Sequence, residues 1–234
     1  MPRQLNPAWR RKNVSSDHLA KISDSFLSDG PPSGQTADGC QVIPFLLDNV
    51  GQEWIVQELC GVLAQRGQQS RWQTLPAATT GTLAEALGTA PGQPASVGGF
   101  HLLATTSPAD IIHHDLDHVV VLVPSSLDGV MTAYRRIKQL ASRQTPDIGV
   151  VLVGPRDQHA AWRYFRKLAV GTLRYLDIPL LNLGFLPQQV VPEHGPPDLH
   201  RHNFLTRISE RLLRSGFHSQ YPRSSFESDD GPPA

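Results

Sequence analysis

Residues 46–68 read LLDNVGQEWIVQELCGVLAQRGQ. The stretch starts as an apolar strand ends. It continues as an amphipathic helix with Ile55, Leu59, Val62 and Leu63 on one face. Between them lies the turn Asp48-Asn49-Val50-Gly51-Gln52-Glu53, at a place where many α/β proteins hold a phosphate. A working phosphate loop aims backbone N–H groups at the anion, neutralises it with a lysine, and offers Mg²⁺ a Ser or Thr hydroxyl. Gly51 is in a plausible place, but Gln52 stands at the lysine position and Glu53 at the hydroxyl position. A glutamate at a helix start competes with phosphate for the positive end of the helix dipole, and repels it.

Working outward, short apolar runs alternate with longer helical patterns. Strands are expected at 41–47 (QVIPFLL), 70–75, 99–105 (GFHLLAT), 118–124 (HVVVLVP), 147–154 (DIGVVLVG) and 179–187. Helices are expected at 55–66, 80–88, 127–142, 160–174 and 204–215. Near-continuous Val/Leu strands alternating with helices are the mark of a parallel sheet covered on both faces. The expected fold is therefore a doubly wound, mostly parallel α/β sheet occupying 40–217. Residues 1–39 read as a flexible segment with a short helical piece, and 218–234 as a disordered tail.

The chain has 234 residues, with 21 Lys and Arg balancing 21 Asp and Glu. That balance supplies no global attraction to nucleic acid or to an anionic membrane. The N-terminal stretch lacks the apolar core of a secretory signal. No apolar run approaches the roughly 20 residues that span a bilayer. A cytoplasmic protein is expected, touching the inner membrane at most peripherally. Cys40 and Cys60 have no CxxC or zinc-like spacing, and read as small thiols in a reducing compartment.

The strand ends are the expected ligand side, since open α/β sheets bind there. After GFHLLAT, no carboxylate stands at Ala104 or Thr105 to orient a metal ion. Ser125 and Ser126 read as helix caps, as does Asp157. The run IIHHDLDH gathers His113, His114, Asp115, Asp117 and His118 in a loop or short helix. On a helix His114 and His118 would share a face, but the run reads as a solvated connector and no metal site is expected. His194, His200 and His202 carry no better case. The closing helix sets Phe204, Ile208 and Leu212 on one side, with Arg207, Arg211 and Arg214 around the edge. It either lies on a membrane surface or packs on the sheet. Packing is the favoured reading, because the sheet needs its last face covered.

The order of these pieces resembles the MinD/ParA-type P-loop ATPases, most closely their flagellar-number-regulator branch. The family's loop has the form KGGVGKTT, followed by a helix ending near LAQRG. LDNVGQEWIVQELCGVLAQRGQ keeps Val50, Gly51 and that ending. HVVVLVPSSLDGVMTAYRRIKQL and the later LLNLGFLP turn fall on further family segments, and the likeness covers roughly 41–215. The resemblance places the family's signature lysine at Leu47, its P-loop lysine at Gln52 and its Mg²⁺ hydroxyl at Glu53. It puts Pro76 and Ala77 near the aspartate after the second strand, Ala104 near the Walker B aspartate, and Gly154 near the base-reading asparagine.

These departures fall together on the nucleotide site. The resemblance therefore implies a kept fold without ATP hydrolysis, because phosphoryl transfer depends on those charges. The expected function is a non-catalytic, protein-binding regulator or scaffold, with no cofactor and no metal. The degenerate loop Asp48, Asn49, Val50, Gly51, Gln52 and Glu53 is expected to bind none. The setting implied by the family is a bacterial envelope machine: a flagellum, a pilus, or polysaccharide (cellulose) synthesis or secretion. Expected partners are proteins, either an active paralogous ATPase or a component of the membrane machine, in a homo- or heterodimer, and not nucleic acid. The alternative is a residual nucleotide-binding switch or weak ATPase of the same family, controlling where such a machine sits or how many there are.

Overall fold

Strand β1 (Gln41–Leu46) is the axis of the sheet, and every side chain from Val42 to Leu46 is buried. The computed structural model describes residues 41–75, 99–143, 146–188, 199–215 and 219–220. All of these fall in one of the chain's two compact units, Ala37–Ala234. The expected helix at 80–88, Cys40, His194, and most of both terminal segments lie outside the described residues.

After β1 come α1 (Glu53–Gln65), β2 (Ser70–Thr74), β3 (Phe100–Thr105) and α2 (Pro108–His113). Next are β4 (His118–Pro124), α3 (Leu127–Ala141), β5 (Asp147–Val153) and α4 (Gln158–Leu176). β6 (Leu180–Leu186) and α5 (Leu199–Arg214) follow, and then a two-residue strand β7 (Ser219–Gln220). Six strands lie parallel in the order β2-β3-β1-β4-β5-β6, the α/β architecture expected from the alternating pattern.

β1 shows how the local chemistry fits this order. Gln41 N–H bonds to Gly99 O and Leu47 N–H to Thr105 O, so the odd-numbered amides of β1 face β3. The even ones face the other side. There β4 pairs only with Phe45 and Leu46, while β7 pairs antiparallel with Gln41 and Val42. Pro44 falls in the gap between them. Its missing N–H therefore removes no ladder bond, which is how a proline is tolerated in a central strand. Ser219–Gln220 thus adds a sheet strand inside the stretch read from sequence as a tail.

Alternate β1 side chains feed two cores. On one face Ile43 and Phe45 meet Ile55, Leu59 and Leu63 of α1 and Leu205, Ile208 and Leu212 of α5. On the other, Val42 and Leu46 join a core with Ile111 of α2, Ile137 and Leu140 of α3, and Phe165 and Leu168 of α4. α1 and α2 leave neighbouring strands β1 and β3 for opposite faces. The crevice of the doubly wound sheet opens at that divergence.

The α3 connection is the tightest point. Ser126 Oγ accepts the Gly129 N–H at 2.9 Å, capping the helix as expected. A Cβ on Gly129 would run into the Pro124 carbonyl oxygen and come within 2.9 Å of the Pro124 Cβ. Gly129→Ala is expected to destabilise the domain by about 1–3 kcal/mol, as overpacking does. Urea unfolding should show a lower midpoint with an unchanged slope.

His101 of β3 is buried, and its register partner on β2 is Arg71. Burial, and then the Arg71 charge, lower its pKa below the usual 6.5. As pH falls below about 6.5 the unfolded chain takes up this proton before the folded one does. Stability should therefore fall with pH from there down to the folded-state pKa. His101→Leu should show a smaller loss between pH 7.5 and 5.5 in paired urea titrations (values chosen about one unit either side of the free-histidine pKa).

Candidate functional site: a strand-end loop closed on itself

The turn Asp48–Glu53 sits at the C-terminal end of β1, as the sequence indicated. Asn49 is extended, Val50–Gln52 form one 3-10 turn, and Glu53 opens α1. The Gln52 side chain is buried and folds back, so that its Oε1 accepts the Asp48 N–H at 2.8 Å. The Gln52 N–H donates to Asn49 O at 3.1 Å, and the Glu53 N–H to Val50 O. Three amides that a phosphate cradle would aim at an anion are thus engaged by the loop's own oxygens. The amide at the lysine position closes the loop instead of charging it.

The carbonyl side of the turn is held from α3. Arg136 Nη1 donates to Leu47 O at 2.5 Å, and Nη2 to Asp48 O at 3.1 Å. The same guanidinium lies 3.9 Å from the Asp48 carboxylate. This cation is directed at the carbonyl oxygens of the strand end. Sequence reasoning missed it, although it lies in the quoted AYRRIK run, because it meets its partners across 88 and 89 residues.

Beside the loop a cleft of about 200 Å³ opens at the ends of β1, β2 and β3. Its wall includes Leu47, Val50, Thr74, Leu75 and Ser107, and its charged side chains are Glu53 and Asp110. Thr105 Oγ1 donates to Asp110 Oδ2 at 2.5 Å and accepts the Ser107 N–H at 3.0 Å. Ser107 in turn caps α2, its Oγ accepting the Ala109 N–H, with Pro108 in the first turn. The end of β3 therefore does meet a carboxylate, correcting the expectation drawn from Ala104 and Thr105. It comes from Asp110, five residues beyond Thr105, on a helix too short to read from periodicity. The cleft is acidic, and among the described residues no cation lines it.

The remaining candidates separate. α2 ends at His113, Asp115 takes a left-handed conformation (φ 51°) and His118 opens β4. His114 and His118 therefore share no helix face. The His113 and His114 rings meet edge to face at 5.0 Å. Burial, and then His113, lower the His114 pKa, while Asp110 opposes them. Among the described residues no group of three or more His, Cys, Asp or Glu could hold a metal ion. His200 and His202 are carried on α5. Cys60 is a buried free thiol, its Sγ 3.4 Å from Ser70 Oγ. Asp157 caps α4 through the Ala160 N–H at 2.7 Å, as expected. Gly154 takes a positive φ of 77°, a conformation that suits glycine.

α5 packs on the sheet: Leu205, Ile208 and Leu212 are each no more than 2% exposed. Its first turn begins earlier than expected because Arg201 is buried there, 2.6 Å from Glu58 Oε1 and over the Trp54 ring at 5.3 Å. Among the described residues no helix is long and apolar enough to cross a membrane.

No family model matches the chain, and no curated protein matches it. Solved structures similar to it are MinD and ParA family ATPases. The MinD cell division protein of Aquifex aeolicus is 13% identical with a TM-score of 0.48, over 74% of this chain and 97% of that one. The MinC:MinD cell division protein complex of the same organism gives 13% and 0.48, over 74% and 96%. A ParA family ATPase from Chlorobium tepidum TLS gives 11% and 0.43, over 77% and 95%. At these scores the likeness is one of chain course, and no property of those proteins transfers through it.

Arg136 is the residue by which this geometry can be tested. Arg136→Met keeps the stem and leaves two part-buried carbonyls without their donor. The expected cost is about 1–3 kcal/mol. A lowered urea midpoint, with increased hydrogen exchange at Gln52 and Glu53, would show the clamp at work. An unchanged midpoint would mean that water replaces the guanidinium.

Proposed function

We propose that this chain is a catalytically inactive relative of the MinD/ParA-type ATPases that acts as a protein-binding regulator or scaffold. The observation that carries the reading is the self-closed loop: Gln52 Oε1 on the Asp48 N–H, beside a cleft whose charges are Glu53 and Asp110. At an effective dielectric of about 20, a unit charge roughly 6 Å from a carboxylate of the same sign costs about 3 kcal/mol. A polyphosphate in this cleft would meet two such charges and no compensating lysine. Each 1.4 kcal/mol or so is a factor of about ten in affinity. The electrostatics alone therefore weaken nucleotide binding by orders of magnitude. With Gln52 in place of the lysine and Glu53 in place of the hydroxyl that holds Mg²⁺, this loop lacks two groups that stabilise transition-state charge.

The order of motifs, from the LAQRG ending to the LLNLGFLP turn, supports a setting in a bacterial envelope machine such as a flagellum, a pilus, or a polysaccharide synthesis or secretion system. The expected partner is an active paralogous ATPase or a component of that machine, in a complex that does not depend on ATP.

Titration calorimetry with ATP and ADP, with and without Mg²⁺, tests the reading. The expected result is no saturable heat up to about millimolar nucleotide, a limit near −4 kcal/mol. Micromolar binding that disappears in a Gln52→Ala or Glu53→Ala variant would overturn it in favour of a nucleotide switch. Turnover abolished by the same changes would establish an ATPase.

A further inference from the structure

α4 presents an outer face unlike any other described helix of the chain. Its 19 residues contain four exposed cations, Arg163, Arg166, Lys167 and Arg174, and no Asp or Glu. The whole chain has a formal net charge of zero, so this is a local concentration of charge. Large apolar side chains are exposed on the same helix: Trp162 at 53%, Val170 and Leu173 both at 54%.

The exposed arc grades from an apolar edge to a basic one. At about 100° per residue, Trp162 and Leu173 fall within roughly 20° of each other on the wheel. Arg163, Arg174 and Lys167 cluster on the far edge of the exposed arc, about 100–140° from Trp162. Arg166 and Val170 lie between. The inner side, with Ala161, Phe165, Leu168 and Thr172, is buried against the sheet. Trp162 is stacked on the half of this helix that is anchored: its ring lies 5.8 Å from that of Phe165, at 29°. The indole therefore rests against a core ring while about half of its surface stays open to solvent.

We propose that the outer face of α4 docks on an anionic lipid surface, with Trp162 and Leu173 entering the headgroup boundary and the cations at phosphate level. Charge complementarity selects the class of partner. Its distribution favours a lipid surface over a protein or nucleic acid. Long Lys and Arg side chains keep their heads hydrated at the headgroup level while their stems lie along apolar surface. A protein interface would have to desolvate four cations at fixed positions, which costs more than it returns unless each is matched. Nucleic acid offers no place for the aliphatic Leu173 and Val170. This face lies on the opposite side of the sheet from α5, whose apolar residues are already buried. It is independent of the strand-end cleft and of the nucleotide question.

The full-length chain should co-sediment with vesicles of phosphatidylglycerol and phosphatidylcholine, and not with phosphatidylcholine alone. Binding should weaken with added salt. Tryptophan emission should shift to the blue on binding, and Trp162→Phe should remove the shift. Arg163→Gln with Lys167→Gln and Arg174→Gln should lower the partition constant by roughly a hundredfold, at about 1 kcal/mol per charge lost. Leu173→Ser should weaken it separately. All of these positions are exposed, so circular dichroism should be unchanged. Absence of binding to anionic vesicles at low salt overturns the proposal. So does binding that the α4 variants leave intact. Equal binding to a soluble acidic polypeptide, with no blue shift, overturns it in favour of an acidic protein partner.

Discussion

The end of β1 is fixed from both sides, and the rest of the site follows from that. Leu47 donates its N–H to Thr105 O at 2.7 Å and gives its carbonyl to Arg136 at 2.5 Å. The first bond extends the β1–β3 ladder by one residue. The second ties the strand end to α3 on the other face of the sheet. Arg136 can reach only because α3 starts where it does, with Ser126 capping it and Gly129 pressed against the Pro124 carbonyl. A small residue at 129 thus sets the helix, the helix sets the guanidinium, and the guanidinium sets the loop.

With its carbonyls held, the turn engages three of its amides internally, those of Asp48, Gln52 and Glu53. An anion-binding loop needs unpaired N–H groups, and a buried unpaired N–H is costly when the anion is absent. Gln52 resolves that conflict on the side of the empty loop. Its amide oxygen is neutral, and it accepts the Asp48 N–H without adding charge. A lysine in its place could not accept that bond. The sequence and structure of the loop are therefore consistent with each other as a closed turn. The same position that would charge a phosphate cradle supplies the acceptor that closes this one.

The sheet was legible because its strands are buried on both faces. HVVVLVP and DIGVVLVG have no other stable use in a chain of this pattern. The missing lysine and hydroxyl at Gln52 and Glu53 were legible too, since a residue type is either present or not. What the sequence could not supply was direction. Nothing in Gln52 says that its side chain turns back toward Asp48. Nothing in AYRRIK says that its second arginine meets the first strand. Asp110 was hidden for a different reason: a six-residue helix has too few turns to show a period. α5 began early because Arg201 finds Glu58 and Trp54, a tertiary gain that outweighs the polar look of its first turn.

α4 and α5 illustrate the limit of periodicity most clearly. Both mix apolar residues with arginines, and from sequence the last helix could lie on a membrane surface or pack on the sheet, with packing favoured. The topology agrees with packing. α5 follows the edge strand β6 back over the face that α1 covers only in part, so Leu205, Ile208 and Leu212 go to the core. α4 packs beside α3 on the other face, where Phe165 and Leu168 suffice to bury it. Further apolar residues of the helix, Trp162, Val170 and Leu173, stay about half exposed on the outside with the cations. An amphipathic helix has one apolar face, and the fold either uses it or leaves it. α4 has more apolar surface than its one sheet contact consumes, and that surplus is what separates it from α5.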